Sequence, residues 1–237
     1  MLITIYTIFT IHLACVLASL YMHRYELHQQ YHMTARTEAT MRVLYWLLFG
    51  TVTRDFVVQH RKHHELSDTW NDPHTPRFGF WTLLACCLIP DFFRSYKITV
   101  TDQEYHRYGV DKVATKTFTD RHPRAGVLLL LVINLLLFGW MGAVAWLVHL
   151  FVVNFLIIAT ITVFGHSIGY KNYELGDLTR NVVPIGVLCV GEELHNNHHR
   201  DSRRCNMAVN KNEFDLGYWY LRVLNRLGLV EFKAESI

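Results

Sequence analysis

An uncharged apolar block from Ala125 to Tyr170 is the feature that most limits how this chain can fold. As one straight helix, at 1.5 Å per residue, the block would reach about 69 Å, more than twice the thickness of a bilayer's hydrocarbon core. The block therefore has to fold back on itself, and the segment from Gly139 to Gly142 is the favoured place for the turn. A hairpin of two helices returns the chain to the side of the membrane that it left.

The N-terminal segment, Met1 to Tyr21, is also uncharged and would be about 30 Å long as a helix, enough to cross the hydrocarbon. It has no basic n-region and no small-x-small cleavage site, so we expect a retained membrane helix rather than a signal peptide. All 23 Lys and Arg residues lie between Tyr21 and Arg124 or from Lys171 onward. This placement predicts that the first span ends in the cytoplasm and that Met1 lies outside.

These apolar regions and the composition together predict an all-α integral membrane protein. With 51% hydrophobic residues and a mean hydropathy of +0.13, the chain is too apolar for an ordinary soluble domain. We predict a helical bundle with about three transmembrane helices, at residues 1–21, 125–142 and 143–166, plus interfacial helices and a cytoplasmic histidine-rich cap. No Pro, Gly or Ser-rich linker interrupts the chain, so we expect residues 1–237 to form one domain.

Two shorter apolar runs, Val43 to Thr53 and Phe78 to Phe93, lie between the predicted spans. The first is too short to cross a bilayer and the second contains Pro90, so we expect helices that lie in the interface or pack under the bundle. The stretch from Lys97 to Arg124 is polar and mixed in charge, which predicts a cytoplasmic connector.

Cysteine usage and net charge limit the chemistry and the partners. The five cysteines form no Cys-x-x-Cys motif, which predicts buried or incidental thiols in a reducing compartment. The net charge is only +3, and we expect no nucleic-acid partner.

The histidines carry the most specific signal. His195, His198 and His199 fall within an arc of about 100° if this stretch is helical. The adjacent pair diverges to either side, so it could serve two neighbouring metal ions with His195 between them. The stretch from His60 to His64 repeats the His-x-x-His-His spacing, which chance should produce only about 0.06 times in a chain of this length.

The predicted topology places the histidine groups on one face of the membrane, because one span is followed by a returning pair. His23 and His28 follow the first span, and His166 ends the third. The candidate metal ligands are therefore His23, His28, His60, His63, His64, His166, His195, His198 and His199. We interpret His12 and His149, inside the predicted spans, as structural. Four further histidines are interpreted as ordinary polar residues: His32, His74, His106 and His122.

The surroundings of these histidines leave two points open. His23 and His28 are five residues apart, or 140° around a straight helix, so the helix must unwind there or the two rings must approach from different sides. Nearby carboxylates could fix the imidazole tautomers, although surface solvation explains them equally well. These carboxylates are Glu26, Glu65, Asp177, Glu192 and Glu193. The segment Asp72-Pro73-His74 could form a supporting turn.

Nine imidazoles at paired spacings indicate two metal ions, because three or four ligands would complete a single zinc site. Imidazole suits Fe, Zn, Cu and Ni alike. Soluble di-iron bundles use two Glu-x-x-His motifs, whereas this chain has only Glu192-x-x-His195, so we favour an all-histidine pair of irons with a position open to oxygen. A non-enzymatic metal-binding or transport protein is an alternative, but it would need polar ligands at mid-membrane.

The three histidine motifs resemble those of the membrane fatty acid desaturase superfamily. That superfamily is marked by a His-x4-His box and two His-x-x-His-His boxes, which match His23–His28, His60–His64 and His195–His199. The phrase Gly-Glu-Glu-Leu-His-Asn-Asn-His-His, together with Asp72-Pro73-His74 and Glu213-Phe214-Asp215, is similar to bacterial acyl-CoA desaturases of the delta-9 class.

The resemblance implies an oxidoreductase that introduces a cis double bond into a fatty acyl chain, with two Fe ions as cofactor and O2 as co-substrate. The acyl chain would be carried by CoA, an acyl carrier protein or a lipid. Electrons would come from a separate ferredoxin, rubredoxin or haem protein, since this chain has no haem or iron–sulfur motif. The expected location is a bacterial inner membrane, with the site on the cytoplasmic side. Hydroxylation or another oxygenation on the same scaffold is the nearest alternative.

The resemblance also implies roles for residues near the spans. His166 matches a further ligand that ends the last span, and Thr162 occupies the position where the family commonly has an Asn that supports a water on one iron. The family often has an additional leading span, whereas here the first apolar helix carries the first box. The acyl tail should enter between the first and third predicted spans, where Thr7 and Ile11 would limit its depth.

Overall fold

The computed structural model describes residues 1–73, 75–88, 100–109 and 117–236, except for the side chains of residues 86–88. The described chain is mostly helical, as predicted. In chain order the α-helices are α1 (Leu2–Val16), α2 (Ala35–Leu48), α3 (Thr53–Leu66), α4 (Phe80–Leu88), α5 (Asp102–Arg107), α6 (Phe118–Arg121), α7 (Pro123–Phe138), α8 (Trp140–Val153), α9 (Thr160–Thr162), α10 (His195–Arg200) and α11 (Leu216–Arg226). π-Helical segments continue α1 and α8 at Leu17–Leu27 and Asn154–Ala159, and 3-10 turns cover Pro76–Phe78, Phe164–His166 and Ala234–Ser236.

In the described ranges two helical stretches, Leu2–Leu27 and Trp140–His166, are long and apolar enough to cross a membrane by length and composition. They correspond to the first and third predicted spans, although the first continues to Leu27 instead of ending near residue 21. The apolar helix α7 has only 16 residues, or about 24 Å, which is shorter than a typical hydrocarbon core. The second of the three predicted spans therefore stays a prediction.

The apolar block turns back at Gly139, within the segment predicted for the turn. Gly139 has a φ of +58°, which favours glycine, and separates α7 from α8. The two helices approach so closely at Gly142 that an added Cβ would lie 2.0 Å from the carbonyl oxygen of Asn134. The buried Asn134 side chain also accepts a 2.7 Å hydrogen bond from the Tyr6 hydroxyl, which joins the hairpin to α1.

A π-helix at Leu17–Leu27 resolves the awkward spacing of the first histidine motif. In a π-helix the backbone hydrogen bond closes between residues five apart, so such residues lie one above the other. The His28 N–H donates to the His23 carbonyl over 3.1 Å, which extends this pattern to the second histidine. The helix is therefore underwound at this motif, which is the first of the two possibilities that the spacing left open, and both imidazoles reach the same cluster.

The largest cluster of buried apolar side chains surrounds this π-helix. Leu17, Leu20 and Met22 are at most 2% exposed, and the cluster includes Tyr45 from α2 and Leu221 from α11. Each fully buried side chain of this kind contributes about 1.5–3 kcal/mol to folding. The first histidine motif thus follows directly on the core of the molecule.

The shorter apolar runs and the polar connector form helices where they are described. The run from Val43 to Thr53 forms the second half of α2 and the turn into α3. The run from Phe78 to Phe93 forms α4 as far as Leu88, and its remainder lies outside the described residues. The connector from Lys97 to Arg124 contains α5 and α6, with its other parts also outside the described chain. Interfacial positions for these helices stay a prediction.

Two small sheets, which an all-α prediction does not include, tie the C-terminal segment to the rest. Strand β1 (Tyr31–Met33) pairs antiparallel with β4 (Val230–Phe232), and β2 (Ile185–Gly186) pairs parallel with β3 (Phe214–Asp215). Strands of two or three residues are too short to show a period in the sequence. They hold the chain just after the first histidine motif and just before the third.

Close packing at Gly142 gives the first testable expectation. Gly142→Ala should destabilise the α7–α8 hairpin by about 1–3 kcal/mol, because the new methyl group would overlap the backbone of α7 and force it to move. Thermal unfolding of the detergent-solubilised protein measures the loss. Val144→Ala, at a position 41% exposed on the same helix, is the matched control and should change stability much less. Equal effects of the two substitutions would contradict the close approach.

Candidate metal centre

The nine predicted histidines lie in two adjoining clusters, in each of which the ligand nitrogens lie within 4.8 Å of one another. The five-histidine cluster contains His23, His28, His60, His64 and His198. The four-histidine cluster contains His63, His166, His195 and His199. The structure thus brings together every histidine that the sequence grouped, and metal binding by the clusters stays a prediction.

Adjacent histidines divide between the clusters because neighbouring helical residues point about 100° apart. On α3, His64 faces the five-histidine cluster and His63 faces the other. On α10, His198 and His199 separate in the same way. The imidazoles of His64 and His199 stack with ring centroids 4.4 Å apart, so the two clusters are in direct contact.

The sequence suggested that His195 would lie between two metal ions, but the structure places it within one of the two clusters. Its Nε2 is 3.0 Å from Nε2 of His166, which places it within the four-histidine cluster. Its ring centroid is 4.4 Å from that of His199 but 6.0 Å from that of His198. The reason is helical geometry, since residues four apart stack on one face of α10.

Imidazole nitrogens converge at the spacing that a shared metal ion requires. Nε2 of His23 lies 3.2 Å from Nε2 of both His28 and His60. Nε2 of His198 lies 3.1 Å from Nε2 of His64. Nitrogens bound at 2.0–2.1 Å and at right angles to one metal would be about 3.0 Å apart. The nitrogen pairs in both clusters therefore fit this donor geometry.

Buried carboxylates fix which imidazole nitrogen carries the hydrogen. Nδ1 of His63 lies 2.9 Å from Asp72 Oδ1, and Nδ1 of His166 lies 3.0 Å from Asp68 Oδ1. An ionised carboxylate only accepts hydrogen bonds, so each Nδ1 donates and each Nε2 keeps a lone pair. Nδ1 of His23 lies 2.6 Å from Glu192 Oε2, an ion-pair contact without the alignment of a hydrogen bond.

Lone pairs that face one another at about 3 Å repel unless a cation lies between them. Nε2 of His166, which keeps its lone pair, lies 3.0 Å from Nε2 of His195, so a hydrogen on His195 Nδ1 leaves two lone pairs facing one another there. Nε2 of His199 is buried without a hydrogen-bond partner in the described part of the chain, although its Nδ1 lies 3.4 Å from Asp177 Oδ2. These unsatisfied nitrogens fit a site built to bind metal through neutral imidazoles.

Burial also keeps the imidazoles neutral. It lowers the pKa of His60, His64, His195, His198 and His199, and neighbouring imidazoles lower the pKa of each further. Neutral imidazole is the form that binds a metal ion, so less proton release is needed on binding.

Two of the five carboxylates considered from the sequence contact the clusters, namely Glu192 and Asp177. The other three bond elsewhere: Glu26 to Tyr21, Glu65 to Arg107 and Tyr108, and Glu193 to the N–H groups of Cys189 and Gly191. Sequence reasoning missed Asp68, which has a φ of +62° and also accepts the Leu178 N–H over 2.7 Å. Its position two residues after α3, which carries the second box, was the only available signal. His74 of the predicted supporting turn lies outside the described residues.

The remaining predicted residues lie on the two long helices. Thr162 is buried one turn before His166, and its support of a water stays a prediction. Thr7 is half-buried and its hydroxyl donates to the Ile3 carbonyl, while Ile11 contacts the core around the π-helix. An apolar groove of about 240 Å³ lies between α1 and α11, and neither Thr7 nor Ile11 is among the residues that line it. The tunnel role of Thr7 and Ile11 therefore also stays a prediction.

His12 and His149 lie outside both clusters, in line with their structural interpretation. Nε2 of His12 lies 2.9 Å from the Tyr220 hydroxyl, and Nε2 of His149 lies 2.9 Å from the Leu48 carbonyl oxygen.

Comparison with known proteins identifies the class. The family model for fatty acid desaturases matches residues 1–208, and this chain belongs to that family. Membership of the superfamily, predicted from the three histidine motifs, is confirmed.

Three relatives show how far the similarity extends. The chain is 29% identical to a hex-5-enoyl-(acyl-carrier protein) acetylenase of Moorena producens, over 88% of this chain and 70% of that protein. It is 31% identical to an sn-1 stearoyl-lipid 9-desaturase of Anabaena variabilis, over 74% of this chain and 62% of the relative. It is 30% identical to an acyl-CoA C20 Delta5-desaturase of Anemone leveillei, over 73% and 55%. This chain therefore spans less than two thirds of the length of the latter two.

The Asp68–His166 hydrogen bond generates a second expectation. Asp68→Asn should weaken metal binding by about 10- to 100-fold. The reason is that a neutral amide oxygen accepts the His166 Nδ1 hydrogen less strongly than a charged carboxylate does. Asn tolerates the left-handed backbone at this position, so the fold should be kept. Competition with a chelator measures the affinity. Glu65→Gln, at an exposed carboxylate on α3, is the control and should leave the affinity unchanged.

Proposed function

We propose that this protein is an O2-dependent fatty acyl desaturase that uses a histidine-ligated di-iron centre to introduce a cis double bond. The observation that supports it is the pair of adjoining clusters, with five and four imidazole donors. Two ion sites side by side match the family's chemistry better than a single structural site would. When bound, two iron ions would supply the activation of O2 and the removal of two hydrogens from an unactivated acyl chain.

The protein's own residues would hold the donors in place and keep the site dry. Asp68 and Asp72 keep a hydrogen on Nδ1 of His166 and His63, so that Nε2 stays free to bind. His23, His195 and His198 are at most 3% exposed, which limits access of bulk water. Exclusion of bulk water would favour reaction with the acyl chain over reaction with solvent.

The unequal donor sets suggest a role for Thr162. Among the described residues the four-histidine cluster has one imidazole fewer than its neighbour, and Thr162 precedes its member His166 by one helical turn. We propose that the hydroxyl supports a water on the ion bound there.

The substrate we propose is a fatty acyl chain carried by CoA, an acyl carrier protein or a lipid. The names of the relatives support the shared part, since they include acyl-carrier-protein, acyl-lipid and acyl-CoA enzymes. Electrons would come from a separate ferredoxin, rubredoxin or haem protein. We place the protein in a bacterial inner membrane as one domain with three spans, the site cytoplasmic and Met1 outside.

Production of the protein in a bacterial host tests the function. Mass spectrometry of the membrane fatty acids should show a new acyl product that lacks two hydrogens and has no added oxygen. His64→Ala should reduce this product by about 100-fold or more, since it removes a donor from the five-histidine cluster. His106→Ala, at an exposed position outside both clusters, should retain it.

Two other outcomes would contradict the proposal. A hydroxylated acyl chain would identify an oxygenase on the same scaffold. Metal bound to the protein with no altered acyl chain would instead favour a non-enzymatic metal-binding or transport protein.

The predicted tunnel is tested by chain-length preference. Ile11→Trp should shift the product profile toward shorter acyl chains, because an indole three to four turns from His23 shortens the space for the tail. Ile8→Trp, at a position 63% exposed, is the matched control and should keep the original profile. If Ile11→Trp leaves the chain-length preference unchanged, Ile11 does not line the tunnel.

A further inference from the structure

The segment Glu213-Phe214-Asp215 has no role in the function proposed so far. It lies beyond the 1–208 region that the family model matches, and it includes strand β3. Asp215 is only 2% exposed, and its side chain reaches the first histidine motif, 191 residues earlier in the chain. A buried carboxylate this close to a candidate metal centre needs a physical explanation.

Asp215 forms a two-armed ion pair with Arg24, the residue after His23. Its Oδ2 accepts from Arg24 Nη1 and its Oδ1 from Arg24 Nη2, both over 3.0 Å. Arg24 is completely buried, and a Cβ added at Gly191 would lie 2.5 Å from its Nη2. The planar guanidinium is therefore fixed in one orientation.

Arg24 connects this ion pair to the five-histidine cluster through Glu192. Arg24 Nε lies at an ion-pair distance of 3.7 Å from Glu192 Oε1, and that oxygen accepts a 2.6 Å hydrogen bond from the Ser19 hydroxyl. The other oxygen, Oε2, lies 2.6 Å from Nδ1 of His23. Asp215, Arg24, Glu192 and His23 thus form a continuous chain of buried polar contacts.

Each member of this chain depends on the next. Glu192 is 1% exposed, and an unpaired buried charge there would be strongly unfavourable. Arg24 supplies the compensating charge, and Asp215 fixes where the guanidinium lies. Without them Glu192 would be free to rotate, and His23 would lose the carboxylate contact at its Nδ1.

We propose that Asp215 and Arg24 are positioning residues that orient Glu192, which in turn holds His23 with Nε2 facing the five-histidine cluster. The inference rests on the proposed function, because it takes that cluster to be a metal site. It assigns to the C-terminal segment a selective influence on one of two neighbouring ions, since the described contacts of Asp215 lead to His23 and to no histidine of the four-histidine cluster.

Cobalt(II) binding to the full-length protein in detergent tests this assignment. Competition with a chelator should resolve two sites per chain in the wild type. Asp215→Asn should weaken one site by about 10- to 100-fold and leave the other unchanged. With fewer than two cobalt ions per chain, the d–d absorption of the variant should lack the contribution that the weakened site makes in the wild type.

Glu193→Gln is the matched structural control. Glu193 is 3% exposed, and its two oxygens accept the N–H groups of Cys189 and Gly191, so an amide in its place should lower the unfolding temperature. In the described part of the chain its side chain bonds to no histidine, and neither cobalt affinity should change. This separates loss of stability from loss of positioning.

A double variant tests whether Asp215 acts through Glu192. The effects of Asp215→Asn and Glu192→Gln on the weakened site should be non-additive, so that the pair is no weaker than Glu192→Gln alone. If Asp215→Asn does not fold, Arg24→Lys gives the same comparison, because it keeps the charge but loses the two-armed geometry.

The outcomes separate the inference from the function. Additive losses, equal losses at both sites, or two unchanged affinities in Asp215→Asn would overturn the inference and leave the proposed function intact. A wild-type protein that binds one cobalt ion or none would overturn the function, and the inference with it.

Discussion

The hydrogen bonds from imidazole Nδ1 to buried carboxylates are the interactions on which the candidate centre depends. Nine imidazoles can occupy one small volume only if they remain neutral and their bare nitrogens point inward. Each carboxylate that arranges this is itself costly to bury and needs further partners. Asp72 accepts the backbone N–H of Asp68, and Asp68 accepts that of Leu178. The centre is therefore a network in which support extends well beyond the histidines.

The same dependence explains how very short elements can carry functional residues. Helix α10 has six residues, too few to be stable alone. Asn197, between its histidines, donates to Glu213 and accepts from Asn181 and Asn172. These bonds fix the helix by its side chains rather than by helix propensity. The polar residues between the histidines are thus as important to the geometry as the histidines.

Local pattern predicted some features well and left others hidden. The charge-free block required a turn near Gly139, and the five-residue spacing of His23 and His28 left an underwound helix as one of two solutions; both follow from helical geometry. The Asp68–His166 and Arg24–Asp215 contacts join residues 98 and 191 positions apart. No periodicity encodes such pairings, because they depend on how the elements pack. The two small sheets were hidden for the same reason, as was the assignment of His195 to one cluster.

The placement of the histidines at helix ends has a physical reason of its own. In the proposed orientation, the two long apolar helices bring only His23 and His166 to the membrane surface. In that orientation the other donors, and the carboxylates that hold them, would come from polar segments outside the hydrocarbon, apart from His28, which directly follows the first helix. Buried ions such as Arg24 and Asp215 would be far more costly at mid-membrane, where water and backbone donors are absent. A centre at the helix ends would combine a dry site with the charged support that its imidazoles require.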